Sequence, residues 1–269
     1  MLLAHALGMT RAGIIAHPER LLDAAEAQLA LTLIARRSAG EPIAYLIGVR
    51  EFYGREFIVS PATLIPRPET ELLVEQALAR LPAAFAAEKR ANTGSAQSSI
   101  KHPASVLDLG TGCGVIAVSI ALEHPDARVV AVDTSTAALI VATENASRLG
   151  AAVEFIESDW YASIRGRRFD LIVTNPPYVA GADQHLAQGD LRFEPKAALT
   201  DHSADGLDSI RTIIRGARAH LNVGGWLLVE HGYDQADACR ELLLKAGFED
   251  LTSVTDLAGI PRVAGGQIR

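Results

Sequence analysis

Apolar residues are spaced in two different ways along the chain. From Leu2 to Ala39 they recur every three or four positions, which predicts two or three short helices packed as a small bundle. From Ser105 onward, short apolar runs typical of buried strands alternate with segments of helical spacing. This alternation predicts an α/β fold in which helices flank a mostly parallel sheet.

The region between them predicts a hairpin, a helix and a linker. Two β-rich pieces around Phe52 and Phe57 are joined by a glycine, as in a β-hairpin. Thr70 is placed to cap a helix over residues 71–81. Residues 82–103 then mix Ala, Ser, Gly, Asn and Gln without periodicity, which predicts a mobile linker. We therefore divide the chain into residues 1–48, 49–104 and 105–269.

Charge and cysteine content narrow the function classes. The 25 basic against 32 acidic residues give a net charge of −7, which disfavours a protein that binds DNA or RNA. The two cysteines, Cys113 and Cys239, are far apart and outside any metal-binding spacing, so they indicate neither a zinc site nor a disulfide framework. Neither a targeting segment nor a membrane span is predicted, and a cytoplasmic location fits best.

The first candidate site follows the predicted strand SVLDL, at the point where a helix begins. It consists of Gly110, Thr111, Gly112, Cys113 and Gly114. Glycines let the backbone approach a ligand closely, and a helix start offers unpaired N–H groups. An ordinary tight turn without a ligand is the alternative, so the loop needs support from other residues.

Acidic residues after the next two strands provide that support. Asp133 ends the strand RVVAVD, where ligands of parallel sheets bind, and it could accept both hydroxyls of a ribose. Asp159 and Trp160 follow the third strand and could bind and cover an adenine ring, although a capping aspartate and a core tryptophan are the alternatives. The loop lacks the GxGxxG spacing that holds pyrophosphate. S-adenosylmethionine therefore fits better than NAD, and Asp108 would suit its ammonium group.

The most specific signal is Asn175-Pro176-Pro177-Tyr178, directly after the predicted strand FDLIVT. Two consecutive prolines stop a helix and make the loop rigid, which methyl transfer needs because the accepting nitrogen must lie in line with the methyl carbon. The Asn175 side-chain oxygen and the Pro176 carbonyl could hold the two N–H groups of a planar amide or amine, while Tyr178 stacks on it. An ordinary Pro-Pro turn is the alternative.

With these motifs in place, the chain resembles the bacterial release-factor glutamine methyltransferases, the PrmC/HemK family. The likeness covers nearly the whole chain, and further motifs follow the family's order: GEPIAYLIG, REFYG, LIPRPETELLVEQAL, RFEPKAAL, DGLD, LLVEHGYDQ and DLAGIPR. IPRPETE discriminates best, because adenine and RNA methyltransferases with NPPY do not usually carry it. Cys113 stands where the family leads us to expect Ser or Thr.

The resemblance implies a Rossmann-like sheet of seven strands, one of them antiparallel, preceded by a helical domain and a hairpin that help to dock the substrate. It also implies methyl transfer from S-adenosylmethionine to the side-chain amide of the glutamine in a Gly-Gly-Gln loop of a bacterial peptide chain release factor. S-adenosylhomocysteine would be the product. We expect a monomer that does not bind nucleic acid or a membrane.

The family's site residues carry over to matching positions of this sequence. The cofactor would contact the glycine-rich loop, Asp133, Trp160 and Asn175, while the four residues from Asn175 to Tyr178 would hold the glutamine. Arg67 and Glu69 would shape the same pocket, although charge pairing within their turn is an equal alternative.

Two other function classes stay open from the residues alone. An adenine-N6 DNA or RNA methyltransferase could use the same NPPY loop for an exocyclic amine, although the acidic net charge argues against it. A module that binds a release factor without catalysis is the other. The chain also carries Gly265-Gly266-Gln267, the tripeptide that the family modifies, so self-methylation is a further hypothesis, with coincidence as the simpler explanation.

Overall fold

The computed structural model describes residues 1–81 and 103–269, so the predicted linker lies outside the described residues except for Pro103. The helices are α1 Leu2–Leu7, α2 Arg11–Ala16, α3 Ala24–Ser38, α4 Ile43–Ile47, α5 Thr70–Leu78, α6 Val115–Glu123, α7 Thr136–Leu149, α8 Lys196–Leu199, α9 Asp208–His220 and α10 Ala236–Lys245. The strands are β1 Val49–Phe52, β2 Arg55–Ile58, β3 Ser105–Leu109, β4 Arg128–Asp133, β5 Val153–Glu157, β6 Phe169–Thr174, β7 Leu221–Glu230, β8 Glu249–Thr255 and β9 Pro261–Gln267. No helix of these described ranges is long and apolar enough to cross a membrane.

The predicted N-terminal helices are confirmed as α1 to α3, with the short α4 after them. A capping box begins α3, because the Asp23 carboxylate accepts from the Glu26 N–H at 2.8 Å and the Glu26 carboxylate accepts from the Asp23 N–H at 3.1 Å. Only Ala30 and Leu33 of α3 are buried. Helices α1 to α3 therefore rest on a small apolar contact area, whereas α4 buries Ala44 and Tyr45 in the core.

The predicted hairpin is also confirmed, as β1 and β2. Tyr53 and Gly54 form its two-residue turn with φ angles of 51° and 72°, the pair of left-handed residues that a type I′ turn requires. Phe52 and Phe57 are buried, and their ring centroids lie 6.1 Å apart in an edge-to-face contact. The hairpin is thereby anchored in the core that contains one face of the large sheet.

The predicted cap at Thr70 is wrong. Helix α5 begins at Thr70 itself, and Glu69 occupies the cap position without a side-chain capping bond. The Thr70 hydroxyl instead accepts a hydrogen bond from the Asn175 side chain at 3.1 Å. The Thr70 hydroxyl, which could have capped the helix, therefore bonds to a residue 105 positions away in the sequence.

The large sheet has seven strands in the order β5-β4-β3-β6-β7-β9-β8, with β9 antiparallel to both neighbours. Helices α5, α6 and α7 cover one face with the hairpin, and α9 and α10 cover the other. The predicted seven-stranded Rossmann-like sheet is confirmed. Successive strands are added on one side of β3 as far as β5 and then on its other side from β6 onward, so a topological switch point lies between the parallel strands β3 and β6. Open α/β sheets bind ligands at such a point.

The Gly-Gly-Gln tripeptide lies in β9, within this sheet. Gln267 pairs with Trp226, four residues before Glu230 at the carboxyl end of β7, and its side-chain amide donates to the Gly224 carbonyl at 2.8 Å. Self-methylation would require β9 to separate from both neighbouring strands, so the structure argues against it.

Candidate active site

Strand register brings the predicted site residues to one edge of the sheet. Leu109 pairs with Thr174 across β3 and β6, so the glycine-rich loop and Asn175 leave the sheet side by side. The neighbouring β4 ends in Asp133, which pairs with Glu157 just before Asp159. Loops that are far apart in sequence therefore meet above the carboxyl ends of four parallel strands.

A cavity of about 250 Å³ lies at this edge. That volume is several times the roughly 30 Å³ that a water molecule occupies in the liquid, so the cavity has the size for an organic ligand. Its wall includes most of the predicted site residues: Arg67, Gly110, Thr111, Gly112, Cys113, Asp133, Asp159, Trp160, Asn175 and Pro177. The wall does not include Gly114, Glu69, Pro176 or Tyr178.

The glycine-rich loop is held in shape by its own backbone. The N–H groups of Gly110 and Thr111 both donate to the Val132 carbonyl at 2.9 Å, which fixes the loop against β4. Gly112 has a φ of 56° and open space where a Cβ would stand, so its conformation, and not crowding, favours glycine. A Cβ at Gly114 would lie 3.1 Å from the Ala142 Cβ, so this glycine allows α6 and α7 to pack closely.

Two aspartates support the loop from different sides. The Asp133 carboxylate accepts from the N–H groups of Gly112 and Ser135, each at 2.9 Å, and half of its lone-pair sites stay available on the cavity side. Asp108 is fully buried beneath the loop, where it accepts from the Thr111 hydroxyl at 2.7 Å. Burial raises the pKa of Asp108 to about 7. The structure places it behind the cavity wall rather than on it, so the suggested contact with an ammonium group has no support in the geometry.

Trp160 presents its indole to the same loop. Its φ of 46° is left-handed, which is rare for a bulky residue. The Ser158 hydroxyl stabilises this turn, because it accepts from the Ser163 N–H at 3.0 Å and donates to the Trp160 carbonyl at 2.9 Å. The indole ring lies 3.6 Å from where a Gly110 Cβ would stand. A flat aromatic surface therefore borders the cavity beside the exposed Asp159 carboxylate.

Two residues of the NPPY loop, Asn175 and Pro177, line the cavity. The Asn175 side-chain NH₂ donates to Thr70, which directs its oxygen the other way. No donor within residues 1–81 or 103–269 reaches the Pro176 carbonyl. The Gln235 side chain holds the end of the loop by donating to the Tyr178 carbonyl at 3.0 Å. The Tyr178 hydroxyl lies 3.4 Å from a Glu230 oxygen, and burial raises the pKa of Tyr178.

Comparisons with known proteins identify the family. Residues 1–48 match the family model described as PrmC N-terminal domain, and residues 78–198 match the one described as Methyltransferase small domain. The chain is 54% identical over 275 residues to the release factor glutamine methyltransferase of Burkholderia pseudomallei, with 100% of this chain and 90% of that protein covered. It is 43% identical over 269 residues to the protein of the same name from Escherichia coli, with coverage of 99% and 90%. The chain belongs to the release factor glutamine methyltransferase family.

A solved structure supports the fold of this family member. The crystal structure of a methyltransferase from Pyrococcus furiosus matches with a TM-score of 0.57 at 15% identity, over 88% of this chain and 98% of that chain. The sheet is that of a class I methyltransferase. The boundaries of the three predicted regions, at residues 48 and 104, stay predictions.

Arg67 of this methyltransferase lines the cavity through a contact that the sequence did not indicate. Its guanidinium pairs with Glu194 at 2.5 Å, and the other Glu194 oxygen accepts from the Ile65 N–H at 3.0 Å. The alternative of pairing within the turn is therefore wrong. Glu194 directly precedes Pro195, which also lines the cavity, so this ion pair joins two segments of the cavity wall.

Several residues that support the site have roles that the sequence did not indicate. Asn145 is fully buried on α7 and bonds to both backbone groups of Ile58 and to the Cys113 carbonyl, at 2.7 to 2.9 Å, so it joins the hairpin to the glycine-rich loop. Thr70 and Glu230 contact the NPPY loop. The last two lie in the family motifs IPRPETE and LLVEHGYDQ, where the sequence indicated only a helix cap for Thr70 and no role for Glu230.

Proposed function

We propose that this protein transfers a methyl group from S-adenosylmethionine to the side-chain amide nitrogen of the glutamine in the Gly-Gly-Gln loop of a bacterial peptide chain release factor. The observation that carries the proposal is one cavity whose wall includes the Asp133 carboxylate, the Trp160 indole and Asn175 of the NPPY loop. Two relatives at 54% and 43% identity are named release factor glutamine methyltransferases, and their names state the acceptor.

The cavity wall fits the proposed cofactor. The free lone pairs of Asp133 suit a ribose diol, and Trp160 offers a flat surface for adenine beside the Asp159 acceptor. The turn at Gly112 leaves open space for close approach of the ligand. When bound, S-adenosylmethionine supplies an electrophilic methyl group on a positively charged sulfur.

The NPPY loop would contribute to the reaction by holding the glutamine amide that accepts the methyl group. An amide nitrogen is a poor nucleophile because its lone pair is delocalised into the carbonyl, so orientation matters more than basicity. The Asn175 side-chain oxygen and the Pro176 carbonyl would each accept one N–H of the glutamine amide and fix its plane. One N–H bond gives way to the new N–CH₃ bond, and the displaced proton leaves toward these neutral acceptors and water. Stacking by Tyr178 stays a prediction, since its ring does not line the cavity.

Label transfer in a mixed reaction tests the proposal. The protein is incubated with methyl-labelled S-adenosylmethionine, unmethylated release factor, bacterial RNA and DNA, and the label in each fraction is counted. We expect label in the release factor and none in a matched release factor whose Gly-Gly-Gln glutamine is changed to glutamate. Label in nucleic acid would favour the adenine-N6 alternative, and cofactor binding without any transfer would favour the non-catalytic module. A monomeric state and a cytoplasmic location remain predictions.

A further inference from the structure

A segment that follows the NPPY loop links the N-terminal helices to the wall of the cavity. Residues 189–199, here called the strap, consist of the 3₁₀ helix Gly189–Phe193, a short connection and helix α8. Three residues of the strap line the cavity: Pro195, Ala197 and Ala198. We propose that the strap positions the acceptor end of the cavity, where the glutamine amide would lie, and that Arg192 and Glu194 are its positioning residues. This inference rests on the function proposed above.

The start of the strap is attached to the end of helix α3. The Arg192 guanidinium donates to the Ala39 carbonyl at 2.5 Å, and it lies 4.8 Å from the centre of the Phe193 ring. Arg37, in the last turn of α3, donates to the Asp190 carboxylate at 3.0 Å. Both hydrogen bonds join residues that are 153 positions apart in the sequence. The end of α3 is therefore an anchor for the strap.

Gly40 makes room for this attachment. Its φ is 97°, and a Cβ at this position would overlap the Arg192 guanidinium. Gly48, which follows α4, has a φ of 78°, but no described residue lies within 4 Å of where its Cβ would stand. Alanine would strain the left-handed backbone at either glycine. Only at Gly40 would it also displace Arg192.

The middle of the strap is attached to the segment that precedes α5. The Glu194 side chain is fully buried, and its two oxygens accept from the Arg67 guanidinium at 2.5 Å and from the Ile65 N–H at 3.0 Å. Loss of either charge would leave its partner unpaired at a largely desolvated position, which is unfavourable. Arg67 and Pro195 both line the cavity, so Glu194 sets the spacing between two parts of its wall.

The end of the strap returns to the NPPY loop. The carbonyl of the buried Leu199 accepts from the Val179 N–H at 2.9 Å, and Val179 directly follows Tyr178. The strap is thus bonded in turn to the end of α3, to the segment around Arg67 and to the NPPY loop. Because Arg192 lies two positions before Glu194, a shift at the α3 attachment would move the cavity wall and the loop together.

Matched glycine substitutions test the α3 attachment. Arg192→Ala removes the guanidinium, and Gly40→Ala displaces it without changing Arg192 itself. We expect kcat for release factor methylation to fall roughly 3- to 10-fold in both variants, as for one lost hydrogen bond, and Arg192→Lys to recover part of the loss. Gly48→Ala introduces comparable backbone strain away from the strap, so its kcat should stay within about twofold of the wild type.

The double variant shows whether both substitutions act through the same contact. With Arg192→Ala already present, Gly40→Ala has no guanidinium to displace, so the two effects on kcat should not add. Glu194→Gln removes a bond between charged groups inside the wall, and its kcat should fall further, roughly 10- to 100-fold. Additive effects of Gly40→Ala and Arg192→Ala would overturn the role of Arg192.

Two further measurements separate positioning from a structural role. The Kd for S-adenosylmethionine should stay within about threefold of the wild type, because the ribose and adenine contacts are proposed for loops that the strap does not bond. Arg192→Ala should melt within about 4 °C of the wild type, since exposed polar contacts contribute little to stability. A lower melting temperature with an unchanged kcat would show a structural role only and would overturn the inference.

A readout independent of activity distinguishes this inference from the proposed function. The methyl resonances of Ala197 and Ala198 are observed by NMR in alanine-labelled protein without cofactor or release factor, and each is identified by its loss in a serine variant. Both should shift in Arg192→Ala and Gly40→Ala but not in Gly48→Ala. Unmoved resonances, or kcat within about twofold of the wild type in both variants, overturn the inference. If the wild type methylates no release factor, the proposed function fails, and the resonances alone then support or overturn the link from α3 to the wall.

Discussion

The two ends of the cavity are built in different ways. At the cofactor end, Asp133 accepts from Gly112 and Ser135, and the loop N–H groups donate to Val132, so these bonds span about twenty residues or fewer. The Asn145 bond to the Cys113 carbonyl spans 32 residues. At the acceptor end, Asn175 depends on Thr70, which lies 105 positions earlier, and the Arg67 to Glu194 pair spans 127 positions. The cofactor end is therefore a local structure, and the acceptor end is an assembled one.

This difference explains what each end needs in order to function. A loop held by its own strand pair keeps its shape whenever that part of the sheet is folded. The acceptor end holds its shape only when α5, β6, β7 and the segment around Glu194 are packed together. We expect substitutions at the acceptor end to act on catalysis and those at the cofactor end to act on cofactor affinity.

The largest expected effect is at Asn175. Asn175→Ala removes a proposed acceptor of the glutamine amide, and by analogy with loss of one oriented transition-state contact kcat should fall about 100- to 1000-fold. Steady-state kinetics with a release factor measure kcat, and calorimetry measures cofactor binding. Asn222→Ala is the matched control: Asn222 lies near the start of β7, away from the site, so this variant should retain near-normal kcat. A loss confined to cofactor affinity would contradict the assignment of Asn175 to the acceptor end.

The next effect is at Asp133. Asp133→Ala removes the carboxylate that is proposed to accept the ribose hydroxyls, so the KM for S-adenosylmethionine should rise about 10- to 100-fold, the usual size for a lost hydrogen bond to a charged group. We expect kcat at saturating cofactor to change much less. Asp126→Ala, in the exposed turn before β4, is the matched control. A large fall in the kcat of Asp133→Ala with an unchanged KM for S-adenosylmethionine would contradict the assignment of Asp133 to cofactor binding.

The fold was largely predictable because its signals are periodic. The alternation of apolar runs predicted a mostly parallel sheet flanked by helices, and a glycine between two aromatic residues predicted the hairpin. The number of seven strands came from the family resemblance. Local motifs likewise predicted most of the cofactor end. The roles of Thr70, Glu194, Asn145 and Glu230 could not be predicted, because each depends on a partner that only tertiary packing brings near. Thr70 shows the conflict directly, since its local preference for capping lost to a distant contact.

A smaller effect concerns pH and stability. Burial raises the pKa of Asp108 and of Glu230 to about 7, above their ordinary values of 3.8 and 4.5. A raised carboxyl pKa contributes stability that is present below the ordinary pKa and is lost as pH rises through about 7. Glu230→Gln should therefore gain stability relative to the wild type between about pH 5 and pH 8, by about 1–3 kcal/mol. Urea unfolding across that range measures the difference, and a difference independent of pH would contradict it.

The smallest expected effect concerns the two cysteines, which should react only slowly with thiol reagents in the folded protein. Burial raises the pKa of Cys113 and Cys239 to about 12, and both thiols are almost fully buried. If the glycine-rich loop is formed before the cofactor binds, a thiol reagent should modify Cys113 of the cofactor-free protein at least about 100-fold more slowly than the unfolded protein. Rapid modification of Cys113 in the native protein would indicate that the loop forms only with ligand.

The most direct test of the proposed reaction is to map the position of the transferred methyl group. Unmethylated release factor is treated with the protein and S-adenosylmethionine, digested, and analysed by tandem mass spectrometry. We predict a single methyl group on the side-chain amide of the Gly-Gly-Gln glutamine, added far more slowly when Asn175→Ala replaces the wild type. A methyl group on another residue of the release factor, or one that Asn175→Ala still adds at the normal rate, would contradict it.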